Sequence, residues 1–336
     1  MHCLKLLGTA LALSTIVAGA AVAAEHSWKP DKPVTIIVPW SAGGSTDSVT
    51  RVLAGDLEEA LGQTVVVVNQ PGAAGSVGTT DAWNADHDGM TWAAGAALDL
   101  GTYQVLGMLD VPITDWAVYL HIANVAVVGV NPDAGFADFG ELLAAMKDKP
   151  GEITVATAGV TSGGHNAMES IAQTAGVEYR HVSYDGGNPA VLATVSGETQ
   201  VTTQLASEQA EMIRAGRIIP LAVLADTPLN IEGFGEVPSI TKWIPDIKTA
   251  NNYFGIWTPK DVPPEVLETM NEIWADNIAN SKALSDYAGQ RGAILDPSSG
   301  DAAIAAAMPA LTQNVWLMFD GGKAENNPAD YGFERP

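Results

Sequence analysis

The residues best placed to do chemistry in this chain are small ones. Four segments set glycine and hydroxyl side chains between an apolar run and an amphipathic one: W-S-A-G-G-S-T-D (40–47), N-Q-P-G-A-A-G-S-V-G (69–78), G-V-T-S-G-G-H-N (159–166) and Y-D-G-G-N-P (184–189). Glycine lets a backbone turn sharply and approach a guest, while Ser, Thr and Asp cap helix starts. A turn of this kind presents unpaired N–H groups at the positive end of a helix, which is where anions bind. The plainer alternative is a well-capped strand-to-helix turn that binds nothing.

Other chemistries find less support. No phosphate loop ending in Gly-Lys-Ser/Thr is present, and Gly72, Gly75 and Gly78 lack the G-x-G-x-x-G spacing. Ser45 and Ser162 lie in glycine-containing turns, so a secreted serine hydrolase using either of them with His165 is an alternative; however, no G-x-S-x-G elbow surrounds them. His26, His87, His121, His165 and His181 are scattered, with no pair at helical spacing, and neither a metal site nor a cofactor is expected. His165, at a helix start inside one of the turns, reads either as a site residue or as a helix-terminal residue bonded to backbone.

The elements that must position these turns follow from periodicity. V-T-I-I-V (34–38) is apolar and β-branched, the pattern of a strand covered on both faces; Val49, Val52, Leu53, Leu57 and Leu61 then mark one buried helical stripe, closed by Gly62. Strands at Val65–Val68 and Met90–Ala96 complete three strand–loop–helix beats, the sign of a parallel α/β sheet, whose ligands sit at the carboxyl ends of strands. The pattern then repeats. Strands are expected at 122–130, 153–158, 178–183, 199–204, 218–225 and 253–258, with helices at 139–147, 166–175, 208–215, 264–279, from Ser281 and at 301–319. Asn188 reads as a helix cap with Pro189 in the first turn, Pro309 as a kink, and Asp320 to Pro336 as a surface tail.

Lys5, the apolar run Leu6–Val22 and the small residues through Ala24 form a secretory signal peptide, cut near Ala23 or Ala24. The single cysteine, Cys3, precedes that run, so the exported chain has no thiol and no disulfide. It must be held by its core, and the remaining ~310 residues exceed one ordinary core, which implies two lobes. Sixteen Lys and Arg against thirty-nine Asp and Glu give a net charge of −23, and loss of Lys5 makes it one unit more negative. Nucleic acid is an unsuitable partner for such a surface.

In order along the chain, K-P-V-T-I-I-V-P-W-S-A-G-G-S-T-D, L-G-Q-T-V-V-V-V-N-Q-P-G-A-A-G-S-V-G, D-G-M-T-W, K-P-G-E-I-T-V-A-T-A-G, H-V-S-Y-D-G-G-N-P-A and P-L-A-V-L-A resemble the Bug/TctC family, the periplasmic solute-binding proteins of tripartite tricarboxylate transporters. The resemblance implies a type II periplasmic binding fold, α/β, with two lobes, a ligand cleft between them and two crossing hinge strands. On that basis 25–124 and 224–336 form lobe I and 125–223 lobe II, with 122–130 and 218–225 as the crossing segments. It further implies a monomeric receptor that captures a small di-, tri-, aromatic or amino-acid carboxylate and hands it to the large multi-span and small membrane subunits. A receptor that presents its ligand to a membrane sensor is the alternative within this class. Carried over by motif, the ligand residues are Trp40, Ser41, Gly44, Ser45, Thr46 and Asp47, with Asn69 and Gly75, from lobe I. From lobe II they are Thr161, Ser162, Gly163, His165, Tyr184, Asp185 and Gly187. Two positions depart from the pattern: Ala42 stands where many members have proline, and a carboxylate is common in the segment here reading Q-V-T-T-Q-L-A-S-E, where Gln204 or Ser207 is expected to face the cleft.

Overall fold

The structure, a computed structural model, describes residues 26–160 and 162–335. The expected signal peptide and Thr161 lie outside the described residues. Elements run β1 (Val34–Val38), α1 (Ser45–Leu61), β2 (Val65–Asn69), α2 (Ser76–Trp83), β3 (Thr91–Ala96), α3 (Leu98–Val105) and β4 (Trp116–Asn124). Next come β5 (Ala126–Val130), α4 (Phe139–Asp148), β6 (Thr154–Thr157), α5 (Gly163–Ala175), β7 (Arg180–Ser183), α6 (Gly187–Ser196), β8 (Val201–Leu205), α7 (Ala206–Arg214) and β9 (Ile219–Val223). A small hairpin, β10 (Leu229–Ile231) and β11 (Gly235–Val237), precedes β12 (Asn252–Pro259), α8 (Pro264–Asp276), α9 (Lys282–Arg291), β13 (Ile294–Ser299) and α10 (Gly300–Asp320).

Two open mixed sheets organise these elements. The first has the order β13-β4-β12-β3-β1-β2, with β1 parallel to β2 and β3. The second has the order β7-β6-β8-β5-β9, with β6 parallel to β7 and β8. The apolar runs read as covered strands are so: β4, β5 and β8 are buried at every position. Each sheet has its own core, one including Ile36, Leu53, Trp92, Ile256 and Trp274, the other including Val128, Phe139, Val155 and Ile171.

The chain crosses between the sheets once almost without interruption, β4 passing to β5 through Val125 alone. The second crossing differs from the expectation. β9 lies wholly in the second sheet, paired with β5, and the excursion 224–251 packs with that lobe: Ile231 and Val237 join one of its cores, and Ile240, Ile244 and Ile247 another. We propose that the second lobe extends to about residue 251. The return is then made at Asn252, which pairs with Asn124 at the start of β12.

Smaller differences have local causes. The helix expected to be capped by Asn188 begins two residues earlier, with Gly186 as its N-cap at φ 147, a conformation that only glycine adopts freely. α3, β13 and the first half of β4 lie in stretches given no element from sequence. The segment after Asp320 is tied down, because Trp316 donates to the Phe333 carbonyl and Asn326 to that of Gln104. α10 continues through Pro309.

Candidate ligand-binding cleft

The parallel strands of both sheets end at a common opening. Loops and helix starts after β1, β3, β6, β7 and β8 line a narrow cleft between the lobes, as expected for ligands at the carboxyl ends of strands. Trp40, Ser41, Gly44, Ser45 and Thr46 come from the first lobe, and Ser162, Gly163, Gly187 and Gln204 from the second. Four helices start here: α1 after Gly44, α5 after Ser162, α6 after Gly186 and α7 after Leu205. Their N–H groups and dipoles favour a carboxylate here.

The hydroxyls seal the cleft edge. Ser41 donates to the Asp185 carbonyl, and the Ser45 and Ser207 hydroxyls are 2.6 Å apart. Ser162 accepts from the His165 backbone N–H and so caps α5. Gly163 and Gly164 bring that helix start close in. A Cβ on Gly163 would lie 2.5 Å from the Asn252 amide, and one on Gly164 would lie 2.0 Å from the Thr203 carbonyl.

Several expected site residues instead support the cleft from behind. Asp47 accepts from the Gly43 N–H, from Asn69 and from Arg51, which together hold its carboxyl below the usual range despite burial. Asn69 also donates to the Trp40 carbonyl. This triangle shapes the first turn and leaves neither side chain in the cleft lining. Gly75, at φ 94, lets its turn pack against the Tyr103 hydroxyl and the Trp40 ring. Tyr184 does not line the cleft, the Asp185 side chain is exposed, and Ser207 opens on an adjoining groove with Tyr287 and Arg291.

His165 is buried away from the cleft, its ring stacked near His181, with Nε2 3.0 Å from Lys323 and Nδ1 3.5 Å from the Tyr179 hydroxyl. Burial, then Lys323, then His181 lower its pKa to about 3, so the ring is neutral and accepts from the ammonium. Neither of its two readings describes the ring, which meets the side chains of Lys323 and Tyr179 and not backbone, while its own backbone N–H is capped by Ser162. Neither serine has it as a general base, since Ser162 meets its backbone and Ser45 meets Ser207.

The sequence reading missed the two acids of the cleft. Glu208, in the first turn of α7, accepts from the Ser45 N–H at 3.4 Å across the cleft and from the Leu205 N–H at 3.3 Å. A Cβ on Gly187 would fall 2.0 Å from its carboxylate, so three helix starts surround this one group. Burial pushes its pKa up to about 7, partly opposed by those two N–H bonds. With the Gln204 amide turned to satisfy both its ends, that side chain donates to Glu208 at 3.0 Å and accepts from the Ala158 N–H. Asp99, in the first turn of α3, is 2% exposed and lines the opposite wall. Neither of its oxygens makes a hydrogen bond of good geometry; burial raises its pKa well above the ordinary value, and the Ala96 backbone and the Trp40 indole offset this only in part. Its signal was a lone acid in the apolar run A-A-L-D-L. Glu208 closes the segment Q-V-T-T-Q-L-A-S-E, in which the resemblance expects a carboxylate, so the expected departure there does not hold; the same residue also caps at the third position of α7.

Residues 49–289 match the family model described as "Tripartite tricarboxylate transporter family receptor". The chain belongs to this family. A UPF0065 protein of Pseudomonas sp. strain P51 is 31% identical over 273 residues, 79% of each chain. A TctC solute-binding protein from Polaromonas, solved without ligand, is 27% identical with a TM-score of 0.64, covering 87% of this chain and 99% of that one. A protein of R. palustris solved with adipate superposes with a TM-score of 0.79 over 88% and 99% of the two chains, and at 23% identity it shows the fold alone. The expected two-lobed α/β periplasmic binding fold is therefore the one observed, in a family of solute-binding proteins rather than enzymes.

Proposed function

We propose that this family member is an exported receptor that captures a small organic carboxylate in the interlobe cleft and delivers it to the membrane subunits of a tripartite tricarboxylate transporter. The observation that carries this reading is the convergence of four helix N-termini, from both lobes, on one cleft. The adipate held by the R. palustris relative supports the chemical class. Trp40, Ser41, Gly44, Ser45, Thr46, Ser162, Gly163, Gly187 and Gln204 would contact the solute, and affinity would come from the two lobes closing on it. No bond need be made or broken.

A ligand that binds only the folded, two-lobed state raises stability by RT ln(1 + [L]/Kd), about 2.7 kcal/mol at a hundredfold excess over Kd. A thermal-shift panel of mono-, di- and tricarboxylates is expected to give a few strong hits, and native mass spectrometry of freshly purified protein should show retained solute. Shifts from sugars or metal ions with none from any carboxylate would refute the proposal.

A further inference from the structure

Among the described residues, two acids line the cleft, Glu208 from the second lobe and Asp99 from the first, and no lysine or arginine does. A polycarboxylate would therefore enter a space that already holds carboxyl groups and offers no cation to compensate them. Burying like charges together at low dielectric is costly unless a proton or a counter-charge intervenes.

Asp99 supplies a second, independent observation. It is almost wholly buried, it borders the cleft, and both its oxygens lack a well-formed partner. A buried acceptor left unpaired costs free energy, and such groups in native proteins normally meet a donor. Trp40 and Phe254 border the same space, and aromatic rings attract cations. A neutral carboxyl can donate as well as accept, so Asp99 alone does not fix its partner; two acids bordering one cleft whose lining holds no lysine or arginine favour a solute that brings a donor with positive charge.

We infer that the solute is a carboxylate that also carries a cationic nitrogen, of the amino-acid or betaine class, its carboxylate held at the helix N-termini and its nitrogen between Glu208 and Asp99. This rests on the carboxylate-receptor reading and narrows it. On binding, the nitrogen's charge favours the ionised form of both acids, so protons are released. Other titratable groups around Glu208 are Tyr287, Arg291 and Glu211 on its far side; Tyr103 lies near Asp99.

The test pairs each nitrogen compound with the acid that lacks the nitrogen. L-amino acids and glycine betaine are titrated into the wild-type chain beside their counterparts, glutarate for glutamate and succinate for aspartate. The best nitrogen compound is expected to bind at least tenfold more tightly than its counterpart, as a charge-assisted contact implies. Glu208→Gln should cut that ratio by about tenfold or more, equivalent to about 1.4 kcal/mol, and the nitrogen-free acid should gain affinity. Asp99→Asn, which keeps the shape of the protonated acid, should act in the same direction and serves if the first variant folds poorly. Tighter binding of nitrogen-free acids by the wild type, or an equal loss for both members of a pair in the variants, overturns the inference and leaves the carboxylate reading standing. Binding of neither set overturns both.

Discussion

Glu208 shows how one residue can set both stability and selectivity. Its pKa is near 7 in the fold and about 4.5 free, so the folded state holds the proton through that interval while the unfolded chain has lost it. Stability contributed by the neutral acid is complete below about pH 4.5 and declines as pH rises towards 7, by roughly 3 kcal/mol at 1.36 kcal/mol per unit. His121 and His165 act in the opposite sense: their pKa values are depressed to about 3, so their contribution is full above 6.5 and is lost as pH falls. Comparing Glu208→Gln with the wild type cancels the histidines. The variant is expected to melt with the wild type near pH 4 and above it at pH 8; a constant difference across that range would show that Glu208 is not desolvated. Gly44 separates binding from folding in another way. Its φ is −73, and a Cβ there would meet only the Ser41 carbonyl at 3.5 Å, so valine fits the backbone while its methyl groups intrude on the cleft. Gly44→Val should cost on the order of 1 kcal/mol of stability, since Gly44 is the N-cap of α1 and valine caps poorly, yet weaken the best ligand by about tenfold or more, and calorimetry giving wild-type affinity would move the site elsewhere.

At the scale of elements, the strand-to-helix turns were legible because two periodicities meet at them: β-branched runs end, helical stripes begin, and glycine marks the junction. Those patterns located β1, α1, β6 and α5 and placed Ser45, Thr46, Ser162 and Gly163 at the opening. They could not separate a residue that lines the cleft from one that braces the turn. Asp47 and Asn69 sit in the right loops yet point into the structure, because a buried turn needs its own N–H and carbonyl groups satisfied before it can offer any to a guest. The path of 224–251 was hidden for a related reason, since short apolar triplets spaced by Pro, Gly and acids carry no periodicity that says which core they enter. One inter-element contact was also beyond the sequence: Lys323, just past α10 in the first lobe, reaches Glu169 on α5 in the second at 3.0 Å, where Tyr179 also donates to the carboxylate. Lys323 is about one third exposed and Glu169 less, so solvent still screens the pair and its worth is about 1 kcal/mol. Lys323→Met is expected to speed ligand release by up to about fivefold with little change in association, as read by stopped-flow fluorescence of the cleft tryptophan. An unchanged release rate would mean that the contact does not resist opening.

For the molecule as a whole, charge poses the sharpest question, because a chain of net charge −23 is read as a receptor for an anion. Two of the nearby cations are already engaged. Arg51 is paired with Asp47, Arg291 with Glu211, and Arg180 is exposed on β7. Helix-end amides act over short distances and are little weakened by salt once a cleft has shut, whereas the overall field is long-ranged and is screened over a Debye length of about 10 Å at 0.1 M. Added salt should therefore remove repulsion without removing the contacts that hold the ligand. A dicarboxylate such as succinate is expected to bind equally well or better as NaCl rises from low to moderate concentration, with the gain in the association rate. A zwitterion feels little net force from the same field, so its affinity should stay nearly level, and the preference for nitrogen compounds should be widest in low salt. The two slopes can be measured in one series of titrations. A loss of about tenfold or more for either ligand, equivalent to about 1.4 kcal/mol, would mean that a basic side chain reaches the solute on closure. Arg180→Gln and Arg291→Gln would then identify which: the variant that flattens the slope marks the cation, and a slope retained in both would assign it to Lys248, which borders the adjoining interlobe pocket.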